Sequence, residues 1–238
     1  MHSFPVHRTA FRPFPPVTDM PETAAPPDPR TVLHERIRRI TVDEFFQMAE
    51  IGIFADDERV ELIHGEVLTM SPAGPPHLIC VNNLTDQLAR RLYGNDSETG
   101  RLSVQNSIRC SERTASEPDV CVLSPDTPRD RVPEPQDVLL LIEVAASSLA
   151  YDRGPKLEIY ATAGIPVYWV VDLLNEYVDV FTMPREGTYT KRHRFLRGDA
   201  VPLPVTLPGE PILVDDILGA PASDSSGEKP ESDAGETE

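Results

Sequence analysis

Basic residues are scarce in this chain: 22 Lys and Arg stand against 39 Asp and Glu, a formal net charge of −17 over 238 residues. That balance argues against a passive, salt-driven nucleic-acid binder, which needs a net basic face. It leaves room for an enzyme that meets phosphate locally, through a metal and a few arginines. Cysteine is sparse as well. Cys80, Cys110 and Cys121 form no CxxC, and an odd count without a framework fits reduced, buried thiols in a cytoplasm rather than disulfides or structural zinc. Long apolar runs are missing too. The longest, around 138–146 and 165–174, are broken by Glu143 and Asp172 and are too short to cross a bilayer. The opening MHSFPVHRTAFRPFPPV lacks the uninterrupted apolar stretch of a signal peptide. A cytoplasmic protein without a membrane partner is expected.

The ends differ from the middle. Residues 1–30 hold eight prolines and no periodic apolar pattern, and residues 221–238 hold six acids and one lysine among small polar residues. Neither can bury enough apolar surface to offset the entropy of ordering, so both are predicted disordered. The tail accounts for five of the seventeen negative charges, which leaves −12 for residues 31–220, since residues 1–30 balance to zero. Those 190 residues suffice for one domain with a proper core.

Within them, Thr41-Val-Asp-Glu44 is a capping box, and a helix over 42–51 follows, stopped by Gly52. RVELIHGEVLTM places two alternating runs around His64-Gly65, the pattern of a tight hairpin. Leu78, Val81, Leu84, Leu88 and Leu92 recur at helical spacing and predict a helix over 77–93, ended by Gly94. RLSVQNSIRC alternates like one strand, and EPDVCVL is a second with Pro118 at its start. VLLLIEVA (138–145) is apolar on both faces, as in a central strand. Pro155 opens a helix that ends at Gly164, with Leu157, Tyr160 and Ala161 as its inward stripe. Strands at 167–173 and 176–182 follow, then strand-like pieces at 189–195 and 201–207. The strand–helix–strand passage 138–172 is long enough for a crossover, so the sheet should be mixed.

Two residues stand out in LLLIEVAASSLAYDRGPKLEIY: Glu143 near the end of an apolar strand, and Lys156 in the first turn of the next helix. If strands 118–123 and 138–145 pair, Asp119 can face Glu143. Two carboxylates meeting at a sheet edge stay ionised together only with a cation between them, and hard oxygen ligands suit magnesium or manganese. A cation in a helix's first turn opposes the helix dipole, which asks for a local reason. The plain alternative is that Pro118-Asp119 is turn chemistry, Glu143 a strand end and Lys156 a solvated helix residue. Spacing alone leaves both readings open. Asp152 reads as a helix cap. Ser147-Ser148 has no base at hand to make a nucleophile. Arg90, Arg91, Arg109, Arg113 and the run Lys191 to Arg197 could touch phosphates, while Tyr168 and Trp169 read as core.

VELIHGEVL (60–68), His77, EPDV (117–120), LLIEVA (140–145) and above all YDRGPKLEIYATAGIPVYWVVD (151–172) resemble the Uma-two family of the PD-(D/E)XK nuclease superfamily, over about residues 40–185. The resemblance implies a restriction-endonuclease-like mixed sheet, an αβββαβ core preceded by a helix and a hairpin, and metal-dependent hydrolysis of DNA phosphodiesters. It implies Asp119 and Glu143 as the acids, with Mg²⁺ or Mn²⁺ held by both and by the carbonyl of Val144. The superfamily lysine is expected two residues after the acid. That position is Ala145 here, and Lys156 takes the role. Glu61 and His77 match polar positions that flank such a site. Ala145-Ala146-Ser147-Ser148 and His64-Gly65 depart from the family's usual turns and put the substrate loop in question. DNA is the expected substrate, and a homodimer is expected by analogy with double-strand cutters. The competing expectation is a nuclease fold kept as a binding or regulatory module without turnover.

Overall fold

Thr41 accepts the Glu44 N–H on its hydroxyl while Glu44 reaches back to the Thr41 N–H, and this reciprocal cap starts helix α1, Val42–Glu50. The computed structural model describes residues 37–55, 57–94 and 99–220. The expectations for 1–30 and 221–238 lie outside the described residues. The body that holds every element below begins at Arg39.

The hairpin forms as expected. Strands β1 (Val60–Ile63) and β2 (Glu66–Thr69) pair antiparallel around His64 and Gly65, whose φ values are +50° and +81°. A Cβ on Gly65 would stand 2.6 Å from Arg39 Cβ and 2.9 Å from the Ile40 carbonyl oxygen. Gly65→Ala is therefore expected to destabilise the fold by about 1–3 kcal/mol through backbone strain and crowding. A urea midpoint equal to wild type would contradict this.

Helix α2 (Pro75–Tyr93) starts two residues earlier than its periodicity predicts, because Pro75 occupies the first turn, where no N–H is needed. Its buried face is Cys80, Val81, Leu84, Leu88 and Leu92, whereas Leu78 is exposed. The segment 101–110 is two strands, not one. β3 (Arg101–Val104) and β4 (Ile108–Ser111) belong to different sheets. Gln105 turns the chain at φ +52°, and Asn106 donates to the Val104 carbonyl at 2.9 Å. Leu102, Val104, Ile108 and Cys110 keep the same parity through the break, which is why alternation does not reveal it.

β5 (Thr114–Ser116) is too short for periodicity to show, and it completes a four-stranded antiparallel sheet in the order β2-β1-β5-β4. The larger sheet uses β6 (Val120–Leu123), β7 (Val138–Ala145), β8 (Val167–Asp172), β9 (Tyr177–Arg185) and β10 (Thr188–Leu196), in the order β10-β9-β8-β7-β6-β3. It is mixed: β7 and β8 are parallel and every other pair is antiparallel. Helices α3 (Leu149–Asp152) and α4 (Pro155–Ala163) form the connection between the parallel strands. Of the expected strand 201–207 only Val201 is extended and paired, in β11 (Ala200–Val201) with β12 (Ile212–Leu213), before α5 (Val214–Leu218). Pro202 and Pro204 cannot donate to a ladder.

β7 is covered on both faces, as its composition requires. Leu140, Ile142 and Val144 pack toward α2 and α5, while Leu141 and Ala145 pack toward Ile159, Tyr160 and Ala161 of α4. Lys156 rather than Leu157 completes the buried face of α4. Strand alternation puts Glu143 on the α4 side. The third apolar cluster joins α1 to the small sheet through Val42, Phe45, Leu62 and Ala115. Trp169 and Tyr168 are fully buried core residues, and all three cysteines are buried and free. Among the described residues no helix is long and apolar enough to cross a membrane.

Candidate active site

β7 ends, α3 makes one turn, and α4 returns over the strand, so a lysine thirteen residues after Glu143 stands above it. Lys156 Nζ lies 2.9 Å from Glu143 Oε1 and 3.5 Å from Glu61 Oε2. Both Lys156 and Glu143 are only 3% exposed, so neither is a solvated surface residue. Tyr160, four residues after Lys156 and on the same face of α4, donates its hydroxyl to Glu143 Oε1 at 2.7 Å. Glu61 comes from β1, where it is buried, and accepts the Tyr151 hydroxyl at 2.9 Å.

Asp119 immediately precedes β6, whose Val120 pairs with Ile142, so it reaches the end of β7 beside Glu143. Its Oδ2 accepts the Val144 N–H at 2.9 Å and lies 3.1 Å from His77 Nε2. An ionised carboxylate only accepts, so His77 carries its proton on Nε2. His77 is thus bonded to a side chain, not to the backbone partner common at a helix start. Asp152 also differs from expectation: it ends α3, is 3% exposed, and accepts the Ser148 hydroxyl at 2.6 Å.

These residues line one cleft of about 570 Å³, with Glu61, His77, Asp119, Glu143, Asp152 and Lys156 on its walls. Arg59 lies there too, paired with Glu117 at 2.6 Å. Burial tends to raise Asp119, but His77 and the Val144 N–H outweigh it and hold the carboxyl below its ordinary value. Burial pushes Glu143 up to about 8 against the pull of Lys156. Burial alone would lower Lys156, yet Glu143, Glu61 and Asp152 reverse this and hold the ammonium above its usual range. The two tendencies conflict within one ion pair. The charged lysine prevails, because three carboxylates face it and protonating Glu143 removes only one. Asp152 is raised, first by burial.

The family model described as "Putative restriction endonuclease", Uma2, matches residues 42–213. The chain belongs to the Uma2 family. Of the solved structures it matches, one is described as "a putative nuclease belonging to DUF820", from Anabaena variabilis. The two share 14% identity and a TM-score of 0.58, over 75% of this chain and 97% of that one, a likeness of fold. None of the curated proteins matches. The Uma2 family supports a nuclease function in general terms, on a restriction-endonuclease-like mixed α/β fold.

Proteins of that kind generally use divalent metals, and the Uma2 cleft here has donors of the right type. Both bonds to Asp119 end on Oδ2 and both bonds to Glu143 end on Oε1. The second oxygen of each carboxylate is therefore uncommitted. The Ala145 carbonyl accepts from Leu173 on the β8 side, whereas the Val144 N–H points to Asp119. A strand residue's carbonyl leaves by the same edge as its N–H, so the Val144 carbonyl faces the Asp119 side. Two carboxylates, one carbonyl and waters meet the usual demands of magnesium. Among the described residues no group of three or more His, Cys, Asp and Glu is arranged to hold a metal ion, so backbone and water would complete the shell. Glu61 Oε2, 3.5 Å from Lys156 Nζ, and His77 Nδ1 are buried without a hydrogen bond.

Tyr151, Tyr160 and Asp152 escaped the sequence reading as site residues. Tyr160 had a signal, its spacing of four from Lys156. Tyr151 had none, because its partner Glu61 is ninety positions away. Two of the arginines considered for phosphate are engaged away from the cleft: Arg109 pairs with Asp43, and Arg91 donates to the carbonyls of Glu210 and Pro211.

Proposed function

We propose that this Uma2 protein is a metal-dependent endonuclease hydrolysing DNA phosphodiester bonds, carried by one domain within residues 31–220. The observation that supports it best is a buried lysine clamped between Glu143 and Glu61 beside an Asp119 with one free oxygen. A fold kept only for packing has no use for three acids and an ammonium in a water-accessible cleft. Asp119, Glu143 and the Val144 carbonyl would hold Mg²⁺ or Mn²⁺. When bound, such an ion lowers the pKa of water and offsets charge on the scissile phosphate. Lys156 holds its proton at Nζ and aims it at the charge that develops on the phosphoryl oxygens. Tyr160 fixes the rotamer of Glu143, and Tyr151 fixes Glu61, so the clamp does not reorganise during the reaction. His77 orients Asp119 through Nε2. The acidic chain disfavours DNA elsewhere on the surface, which confines phosphate to sites built for it.

Incubation with supercoiled plasmid and with single-stranded DNA, in Mg²⁺ or Mn²⁺, tests the proposal beside Glu143→Gln. Wild type should cleave, and the variant should be slower by on the order of a hundredfold or more. Linear product would support a homodimer that addresses both strands, whereas nicked circles alone would mean one cleft acting on each duplex. Absence of metal-dependent cleavage, together with no metal-dependent rise in melting temperature, would leave the binding-module reading in its place.

A further inference from the structure

Asp179 on β9 is fully buried, yet three arginines converge on it. Arg153, at the C-terminal end of α3, bonds its Oδ2. Arg192 of β10 does so at 2.9 Å, and Arg194 of β10 grips both oxygens at 2.9 and 3.1 Å. One guanidinium neutralises one carboxylate. Asp172 is the next acid, and Leu174 and Asn175 already occupy its oxygens. The arginines therefore outnumber the acids even when Asp172 is counted. Each guanidinium carries five N–H donors and a carboxylate accepts only about four, so most of these donors are uncommitted. Arg192 and Arg194 remain 45% and 40% exposed, so those donors meet solvent. Tyr177 supports the group from below, 3.6 Å from Arg194 and 5.4 Å from Arg153.

The register places this group relative to the cleft. Glu143 is opposite Val170, Val170 opposite Asp179, and Asp179 opposite Arg194. Directly opposed residues share a face of the sheet, so all four face the α4 side. Three strand spacings of ~4.8 Å put the Arg194 backbone roughly 14 Å from Glu143. That is about four base-pair rises of ~3.4 Å. The α3 turn lies between, with Asp152 on the cleft side and Arg153 on the other.

We propose that Arg153, Arg192 and Arg194 form a phosphate-binding subsite for the DNA backbone where it runs on from the cleft, a step that rests on the nuclease reading. Asp179 serves as the buried anchor that fixes the three planes and removes the entropy of holding them. On so acidic a chain, a concentrated and oriented group of guanidiniums is where a phosphate finds donors.

The test is fluorescence anisotropy of a labelled DNA duplex in EDTA, over a range of salt, with wild type, Arg192→Ala, Arg194→Ala and the double variant. Lys191→Ala is the control, since it removes the same charge from the opposite face of β10. Each arginine variant should weaken binding at low salt by roughly three- to tenfold and lower the salt slope by about 0.9 for each phosphate no longer neutralised. Lys191→Ala should move neither. Where an alanine variant melts early, Arg192→Gln and Arg194→Gln keep an amide for Asp179 while removing the charge. Unchanged affinity and slope in the arginine variants, or an equal loss in Lys191→Ala, would overturn the subsite. So would a wild type that does not bind the duplex. Arginine-independent binding alongside cleavage that Glu143→Gln abolishes would sink the subsite alone. Arginine-dependent binding without any cleavage would sink the nuclease reading alone.

Discussion

Lys156→Ala should lower the melting temperature and turnover together. Lys156 is buried between Glu143 and Glu61, with Asp152 close enough to act on its charge. Removing the ammonium leaves buried carboxylates without a cation. Breaking a buried pair on one side costs about 3–5 kcal/mol, or roughly 10 °C for a domain of this size. Glu143 can relieve part of that by taking up a proton, but a protonated acid is a poor metal ligand, so the divalent-metal titration should also weaken. Single-turnover cleavage at saturating Mn²⁺ should fall by on the order of a hundredfold or more, the result of deleting one transition-state stabiliser. Lys156→Arg should not restore the rate, because a broad guanidinium cannot replace a compact ammonium between oxygens at 2.9 and 3.5 Å. The double variant Lys156→Ala/Glu143→Gln separates the effects: stability should recover in part while activity stays absent. Wild-type melting and wild-type rates in Lys156→Ala would reduce the lysine to helix packing.

Asp119→Asn should remove metal-dependent cleavage while leaving the fold in place. The carboxylate already has its own partners, His77 and the Val144 N–H, so its repulsion with Glu143 is partly offset and its neutralisation relieves little. The amide oxygen of Asn, standing where Oδ2 stands, can still accept from both the Val144 N–H and His77 Nε2–H, and its NH₂ takes the uncommitted position offered to the cation. What Asn cannot supply is the negative charge for the cation. A loss of several kcal/mol of metal assistance predicts a rate drop of roughly a thousandfold. Wild type should melt higher as Mn²⁺ is added, by mass action on the folded state, and the variant should not. A rate within a few-fold of wild type would remove Asp119 from the site. Global unfolding would instead assign it the structural task of tying the start of β6 to the end of β7.

Much of this was legible in the sequence because it is local or periodic. The capping box at Thr41 and Glu44, the His64-Gly65 turn, the two-faced apolar run at 138–145 and Pro155 at a helix start each encode their structure within a few residues. Glu143 and Lys156 could be singled out because a charge inside an apolar run and a cation against a helix dipole violate local rules. The break at Gln105 could not be seen, since parity continues across it. Nor could the burial of Glu61, which looked like an ordinary alternating polar residue of a hairpin.

Propensity, capping and periodicity act over a few residues, so most elements, their order and the anomalous charges could be read from the chain alone. Which of those charges meet was settled by the folded molecule. Asp119 reaches Val144 and His77, Tyr151 reaches Glu61, and Asp179 gathers Arg153, Arg192 and Arg194 across separations of 13 to 90 residues. Those meetings are set by strand order and register. Order and register follow from burying apolar faces of the whole sheet at once, and no short window of sequence contains that constraint.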